Sequence, residues 1–82
     1  MTEGEIEQAL RSVLTEEFKV EETKIAPEAT FDTMGLDSLD IVSLVMALED
    51  RLGVDIPETA FDGIERLGDA LDLLKQKVAA GA

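Results

Sequence analysis

Gly35-Leu36-Asp37-Ser38-Leu39-Asp40-Ile41-Val42-Ser43-Leu44-Val45-Met46-Ala47-Leu48-Glu49-Asp50-Arg51-Leu52-Gly53 holds the strongest helical pattern in the chain. Wound at about 100° per residue, Ile41, Leu44, Val45, Leu48 and Leu52 gather on one side, the stripe of a helix that packs on other helices. The helix is expected to begin at Asp37 or Ser38 and to end near Leu52, where Gly53 supplies a left-handed cap. Leu39, Val42 and Met46 form a second apolar strip, bordered by Asp37, Asp40, Ser43, Glu49 and Asp50. Two readings compete for it. Either the helix is central and both strips are buried, or the second strip is a docking ridge on which Met adapts to several partners and the acids steer basic ones. Acids interleaved with the strip favour exposure.

Upstream, Ile6, Leu10, Val13, Leu14 and Phe18 recur at spacings of three and four behind Thr2-Glu3-Gly4-Glu5, which matches a capping box. A first helix is expected from about residue 3 to 18, with Glu3, Glu7, Arg11, Glu16 and Glu17 on its solvated face. Residues 19–36 are aperiodic and contain Pro27, which predicts a long loop held down by Ile25 and Phe31. Downstream, Pro57 suits the first position of a short helix over about 57 to 62, which Gly63 breaks. Ile64, Leu67, Leu71, Leu74 and Val78 then predict a last helix from about 66 to 79, followed by a fraying tail, Ala79-Ala80-Gly81-Ala82. The fold class expected is all-α: a small four-helix bundle with a long loop between helices I and II and a short helix III, residues 1–82 forming a single domain.

A chain of 82 residues buries only about 60–65% of its unfolded surface, which leaves no deep cleft between lobes. It is 45% hydrophobic, enough to fold, yet its net charge is −12, so its partners are expected to be basic and nucleic acid is disfavoured. No apolar run approaches the length of a membrane span, and no stable membrane insertion is expected. Met1-Thr2-Glu3-Gly4-Glu5 has neither the basic flank nor the apolar run of a signal peptide, and cysteine is absent, which together point to the cytoplasm.

Chemistry is sparse. Without Cys, His, Trp or Tyr, the chain has no thiol, imidazole or large stacking platform. A serine nucleophile needs a base within reach, and no histidine is present to serve. The abundant carboxylates lack a substrate-sized cleft, and an EF-hand beginning at Asp32 fails because Met34 and Leu36 stand at its third and fifth positions. No catalytic and no metal-binding residues are assigned. Ser38 is therefore more plausible as an acceptor than as an attacker. Serine at a helix start is commonly a cap, but Asp37 can take that role, leaving Ser38 pointing outward beside free amides suited to a phosphate ester.

Gly35-Leu36-Asp37-Ser38-Leu39-Asp40-Ile41-Val42, continued by Leu44-Val45-Met46-Ala47-Leu48-Glu49, resembles the attachment region of acyl carrier proteins. Length, acidity, helix spacing, the long first loop and the Val54-Asp55-Ile56-Pro57 exit extend the resemblance over nearly the whole chain. It implies that a phosphopantetheinyl transferase, using coenzyme A and Mg²⁺, attaches 4′-phosphopantetheine covalently to Ser38, with Asp37 beside it. Acyl chains then ride as thioesters and are presented to ketosynthase, acyltransferase, reductase or dehydratase enzymes with basic patches; the monomeric carrier is not itself an enzyme. Leu39, Val42 and Met46 would form the ridge for these partners, with Asp37, Asp40, Glu49 and Asp50 answering their basic patches and Glu58 and Asp62 extending the face. Phe31, Val45, Leu48, Ile56, Phe61 and Leu71 would line an acyl pocket, although each is equally ordinary core.

Asp37 before the serine looks more like acyl carriers than peptidyl carriers, which often have His there. Ser43 stands where many fatty-acid carriers have glutamate, which thins the acidic rim. Fatty-acid and type II polyketide synthesis both fit, as does a specialised acyl or aminoacyl cargo. From a different class, an unmodified acidic helical adaptor that binds through helix II stays open.

Overall fold

The computed structural model describes the backbone of residues 2–81 and the side chains of these except 58, 80 and 81. Three α-helices, α1 (Glu3–Glu16), α2 (Ser38–Leu52) and α3 (Leu67–Gly81), are joined by segments that contain 3-10 turns at Glu22–Lys24 and Glu58–Phe61. Among the described residues there is no strand, only an isolated bridge between Thr30 and Arg66. α1 lies against both α2 and α3, which approach each other less closely. The all-helical class stands, but the short helix III expected over about 57 to 62 is a 3-10 turn of four residues. Pro57 enters it with extended backbone and Asp62 leaves it with extended backbone, so the segment is too short for a regular α-helix.

Helix α1 starts in the capping box expected of Thr2 and Glu5: Glu5 N–H donates to Thr2 Oγ1 at 3.2 Å, and Thr2 N–H donates to Glu5 Oε1 at 3.1 Å. These donations from Thr2 hold the Glu5 carboxyl below its ordinary pKa. The helix stops two residues earlier than its apolar spacing suggests. Lys19 turns the chain with a positive φ of 58°, its Nζ donates to Glu16 O, and Val20 N–H donates to Leu14 O at 3.0 Å. That turn lets Val20 reach the core while Phe18 is left half-buried. At the other end, α3 continues through Ala79 and Ala80 to Gly81 where a fraying tail was expected, since alanine is the best helix former. Ala82 lies outside the described residues.

Leu10, Val13, Leu14, Leu44, Leu48 and Leu74 are the largest fully buried side chains, and they come from all three helices. The long loop fills the rest: besides the expected anchors Ile25 and Phe31, it buries Val20, Met34 and Leu36. Its backbone is tied to the start of α3, where Leu67 N–H donates to Ala29 O at 2.8 Å and Gly68 N–H to Pro27 O at 2.9 Å. The opening amides of α3 thus find partners in loop carbonyls instead of in a capping side chain. No polar or charged side chain is buried among the described residues, so the core holds by packing alone.

Two glycines of similar exposure should respond oppositely to substitution. Gly53 closes α2 at φ 69°, where alanine is strained, and Gly53→Ala should lower unfolding free energy by about 1 kcal/mol. Gly4 lies in α1 with only Thr2 Oγ1, at 3.9 Å, near an added Cβ, so Gly4→Ala should raise it by about 0.5–1 kcal/mol. Urea unfolding of the two variants checks the signs.

Candidate functional site

The loop that leads into α2 is built to end at a fixed point. Thr30 and Thr33 bind each other reciprocally, Thr30 N–H donating to Thr33 Oγ1 at 3.0 Å and Thr33 N–H donating to Thr30 Oγ1 at 3.1 Å. Gly35 then reverses the chain at φ 80°, a backbone that disfavours any side chain, and Leu36 N–H returns to Phe31 O at 2.9 Å. Leu36 is buried, which fixes where Asp37 begins the helix.

Asp37 is the cap. Its Oδ1 accepts from Asp40 N–H at 2.9 Å, and its own N–H donates to Asp40 Oδ2 at 3.1 Å, so the two acids close a capping box on each other. Ser38 is relieved of that role and is the first helical residue, exposed, its hydroxyl making no hydrogen bond among the described residues. The amides of Asp40 and Ile41 are engaged by Asp37, whereas those of Ser38 and Leu39 have no protein partner among the described residues. Two free amides and a helix N-terminus favour an anionic group on the Ser38 hydroxyl, against the nearby Asp37 and Asp40 charges.

Two open grooves meet at Ser38 and share Ile41 as a wall. One, of about 520 Å³, runs past Phe31, Leu36, Ile64 and Glu65; the other, of about 460 Å³, runs past Val42, Thr59, Phe61 and Asp62. The apolar spacing places Ile41 in the core stripe and gives no sign of Thr30, Thr59, Ile64 and Glu65 as neighbours of the serine. Helical periodicity cannot reveal such neighbours, because they arrive from segments of no fixed period that lie far from Ser38 in the chain.

The second apolar strip is on the surface: Leu39 is 78% exposed, Met46 64% and Val42 39%. Its acidic border divides in two. Asp37, Asp50 and the neighbouring Ser43 are exposed and Asp40 and Glu49 are half-buried, and of these acids Asp37, Asp40 and Glu49 carry structural bonds. Glu49 Oε2 accepts from Ile56 N–H at 3.0 Å, which clamps the α2 exit onto the helix. Periodicity alone gives no sign of this bond, since its partner lies seven residues on and beyond a glycine cap.

Of the residues considered for an acyl pocket, Phe31, Val45, Leu48, Ile56 and Phe61 are buried and Leu71 is half-buried. The Phe31 and Phe61 rings stack with centroids 6.2 Å apart at an interplanar angle of 22°. Leu71 lines a different void, of about 20 Å³, between α1, the loop and α3, with room for about one water. Phe31 and Phe61 instead line the grooves at Ser38. No group of three potential metal ligands converges among the described residues.

The chain matches the family described as a phosphopantetheine attachment site over residues 8–74. It is similar to an acyl carrier protein of Thermosynechococcus vestitus, with 37% identity over 81 residues that cover 98% of this chain and all of that one. An acyl carrier protein of Guillardia theta is 38% identical over the same length, again covering 98% of this chain and all of the relative. The fold is similar to the crystal structure of an acyl carrier protein from Thermotoga maritima, with a TM-score of 0.84 over 98% of this chain and 94% of that one. At 22% identity this likeness is one of fold.

The bonded border and the apolar strip separate by mutation. Glu49→Ala should cost about 1.5–3 kcal/mol of stability through the lost bond to Ile56 N–H, with Glu49→Gln costing less. Met46→Glu, at an exposed position, should change stability by no more than about 0.5 kcal/mol. Denaturant unfolding measures both, and a large loss in Met46→Glu would show that the strip is core.

Proposed function

The chain belongs to the acyl carrier protein family, which carries acyl groups on covalent 4′-phosphopantetheine and is not enzymatic, and on that premise we propose that Ser38 is the attachment residue. One observation carries the assignment: Asp37 takes over the cap, so the Ser38 hydroxyl is exposed and unbonded at the meeting of two grooves. In loading, Ser38 Oγ forms a bond to the phosphorus that bears the pantetheine of coenzyme A. The phosphoanhydride P–O bond breaks, 3′,5′-adenosine bisphosphate leaves, and the serine proton passes to the phosphopantetheinyl transferase. The free Ser38 and Leu39 amides would hold the phosphodiester so formed, and Asp37 and Asp40 keep those amides aligned by closing the cap. When bound, the group supplies the terminal thiol that this cysteine-free chain lacks and holds the cargo as a thioester.

Leu39, Val42 and Met46 are the surface that partner enzymes grip. Their exposure supports this, because an apolar strip left in water beside acids costs the isolated protein and is repaid only in a complex. Asp50 acts as a free charge toward basic patches, while Asp37, Asp40 and Glu49 add charge from positions fixed by their backbone bonds. Ketosynthase, acyltransferase, reductase and dehydratase enzymes of fatty-acid or type II polyketide synthesis are the partners proposed, and residues 1–82 act as one monomeric domain in the cytoplasm. No described helix is long and apolar enough to cross a membrane.

Incubation with coenzyme A, Mg²⁺ and a broad-specificity phosphopantetheinyl transferase should add one arm by intact mass, and Ser38→Ala should abolish the addition. An arm retained in Ser38→Ala would refute the assignment. In the loaded protein, Met46→Glu should reduce kcat/KM of a partner synthase about tenfold or more while helicity is unchanged, as expected for an anchor worth more than about 1.4 kcal/mol.

A further inference from the structure

Both grooves that leave Ser38 are floored by aromatic rings: Phe31 lines one and Phe61 the other, and the two rings stack on each other. They are 4% and 5% exposed, and neither groove is lined by Val45, Leu48 or Ile56, which lie buried in the core. We infer that Phe61 sets the cargo range of this carrier by plugging the entry to the core, so that it carries short or polar acyl groups lying in the surface grooves. This rests on the Ser38 assignment above.

The plug follows from how the two rings are held. Phe31 is locked by its backbone, its N–H donating to Glu65 O at 3.1 Å and its carbonyl accepting from Leu36 N–H. Phe61 ends the 3-10 turn Glu58–Phe61, which has no side-chain cap. An acyl chain entering the core must therefore displace the Phe61 ring from its stack and bring it toward water, losing a large apolar contact area. A short chain gains too little burial to drive that displacement, and a long one gains only what the ring gives up. The grooves outside the plug set Thr30, Asp32, Thr59, Asp62 and Glu65 beside Leu36, Ile41, Val42 and Ile64, a mixed lining on which a short or polar cargo can rest.

The test is thermal unfolding of protein loaded with butyryl, octanoyl or myristoyl phosphopantetheine, each confirmed by intact mass. In the unaltered chain the octanoyl and myristoyl forms should melt no higher than the butyryl form. Phe61→Ala should lower Tm in the unloaded protein, and its octanoyl form should melt about 4–8 °C above its butyryl form as the alkyl chain takes the vacated space. Should Phe61→Ala fail to fold, Phe61→Leu should show a smaller rise of the same sign. A rise with chain length in the unaltered protein equal to that in the variant would overturn the inference, as would a variant with no chain-length dependence. Failure of the mass to increase at Ser38 would instead remove the attachment assignment and this inference with it.

Discussion

Everything in this molecule depends on a segment without regular structure being part of the core. Three helices leave a space that α2 and α3 do not close against each other, and Val20, Ile25, Phe31, Met34 and Leu36 of the first loop occupy it. Burying these side chains forces the loop backbone inward, where its polar groups need partners. The start of α3 supplies them, through Leu67 and Gly68 amides that would otherwise lack acceptors. One set of hydrogen bonds therefore satisfies a loop and a helix end together. The same loop delivers Leu36, and hence Asp37 and Ser38, to a defined place on the surface.

At that place, chemistry and structure are divided between neighbours. Asp37 holds the helix start and Ser38 remains available, because the aspartate carboxylate reaches the Asp40 amide while the serine, one residue on, faces outward. The same division recurs along α2. Leu44, Val45 and Leu48 hold the core, Leu39, Val42 and Met46 stay in water, and Glu49 bonds the chain where it leaves the helix. Some of the net charge of −12 is thus structural, and only part of the acidic border is free to answer a basic partner.

Much of this was legible in the residues. The stripe of Ile41, Leu44, Val45, Leu48 and Leu52 marked α2, Thr2 with Glu5 marked the start of α1, and Asp37 was recognisable as the cap that frees Ser38. These features depend on neighbours three or four residues apart, which helical geometry brings together wherever the helix sits. The acids beside the Leu39, Val42 and Met46 strip favour its exposure, but a helix apolar on two sides is often buried on both, and packing decides between the two. Boundaries were less legible. α1 ended early because burying Val20 required a turn at Lys19, and the short helix shrank to a 3-10 turn between two extended residues.

By itself, then, the sequence determined the all-helical class, the start of α2, the acceptor serine in a chain without other reactive groups, and the resemblance to acyl carriers. Tertiary structure alone decided that Phe31 and Phe61 stack beneath that serine, that Ile41 walls two grooves, that Glu49 is bonded to Ile56, and that Leu71 stands apart from the other pocket candidates. The physical reason is range. Capping and amphipathic spacing act within a helical turn and are written locally, whereas the shape of a cavity is set by side chains from segments whose approach depends on how the whole core packs.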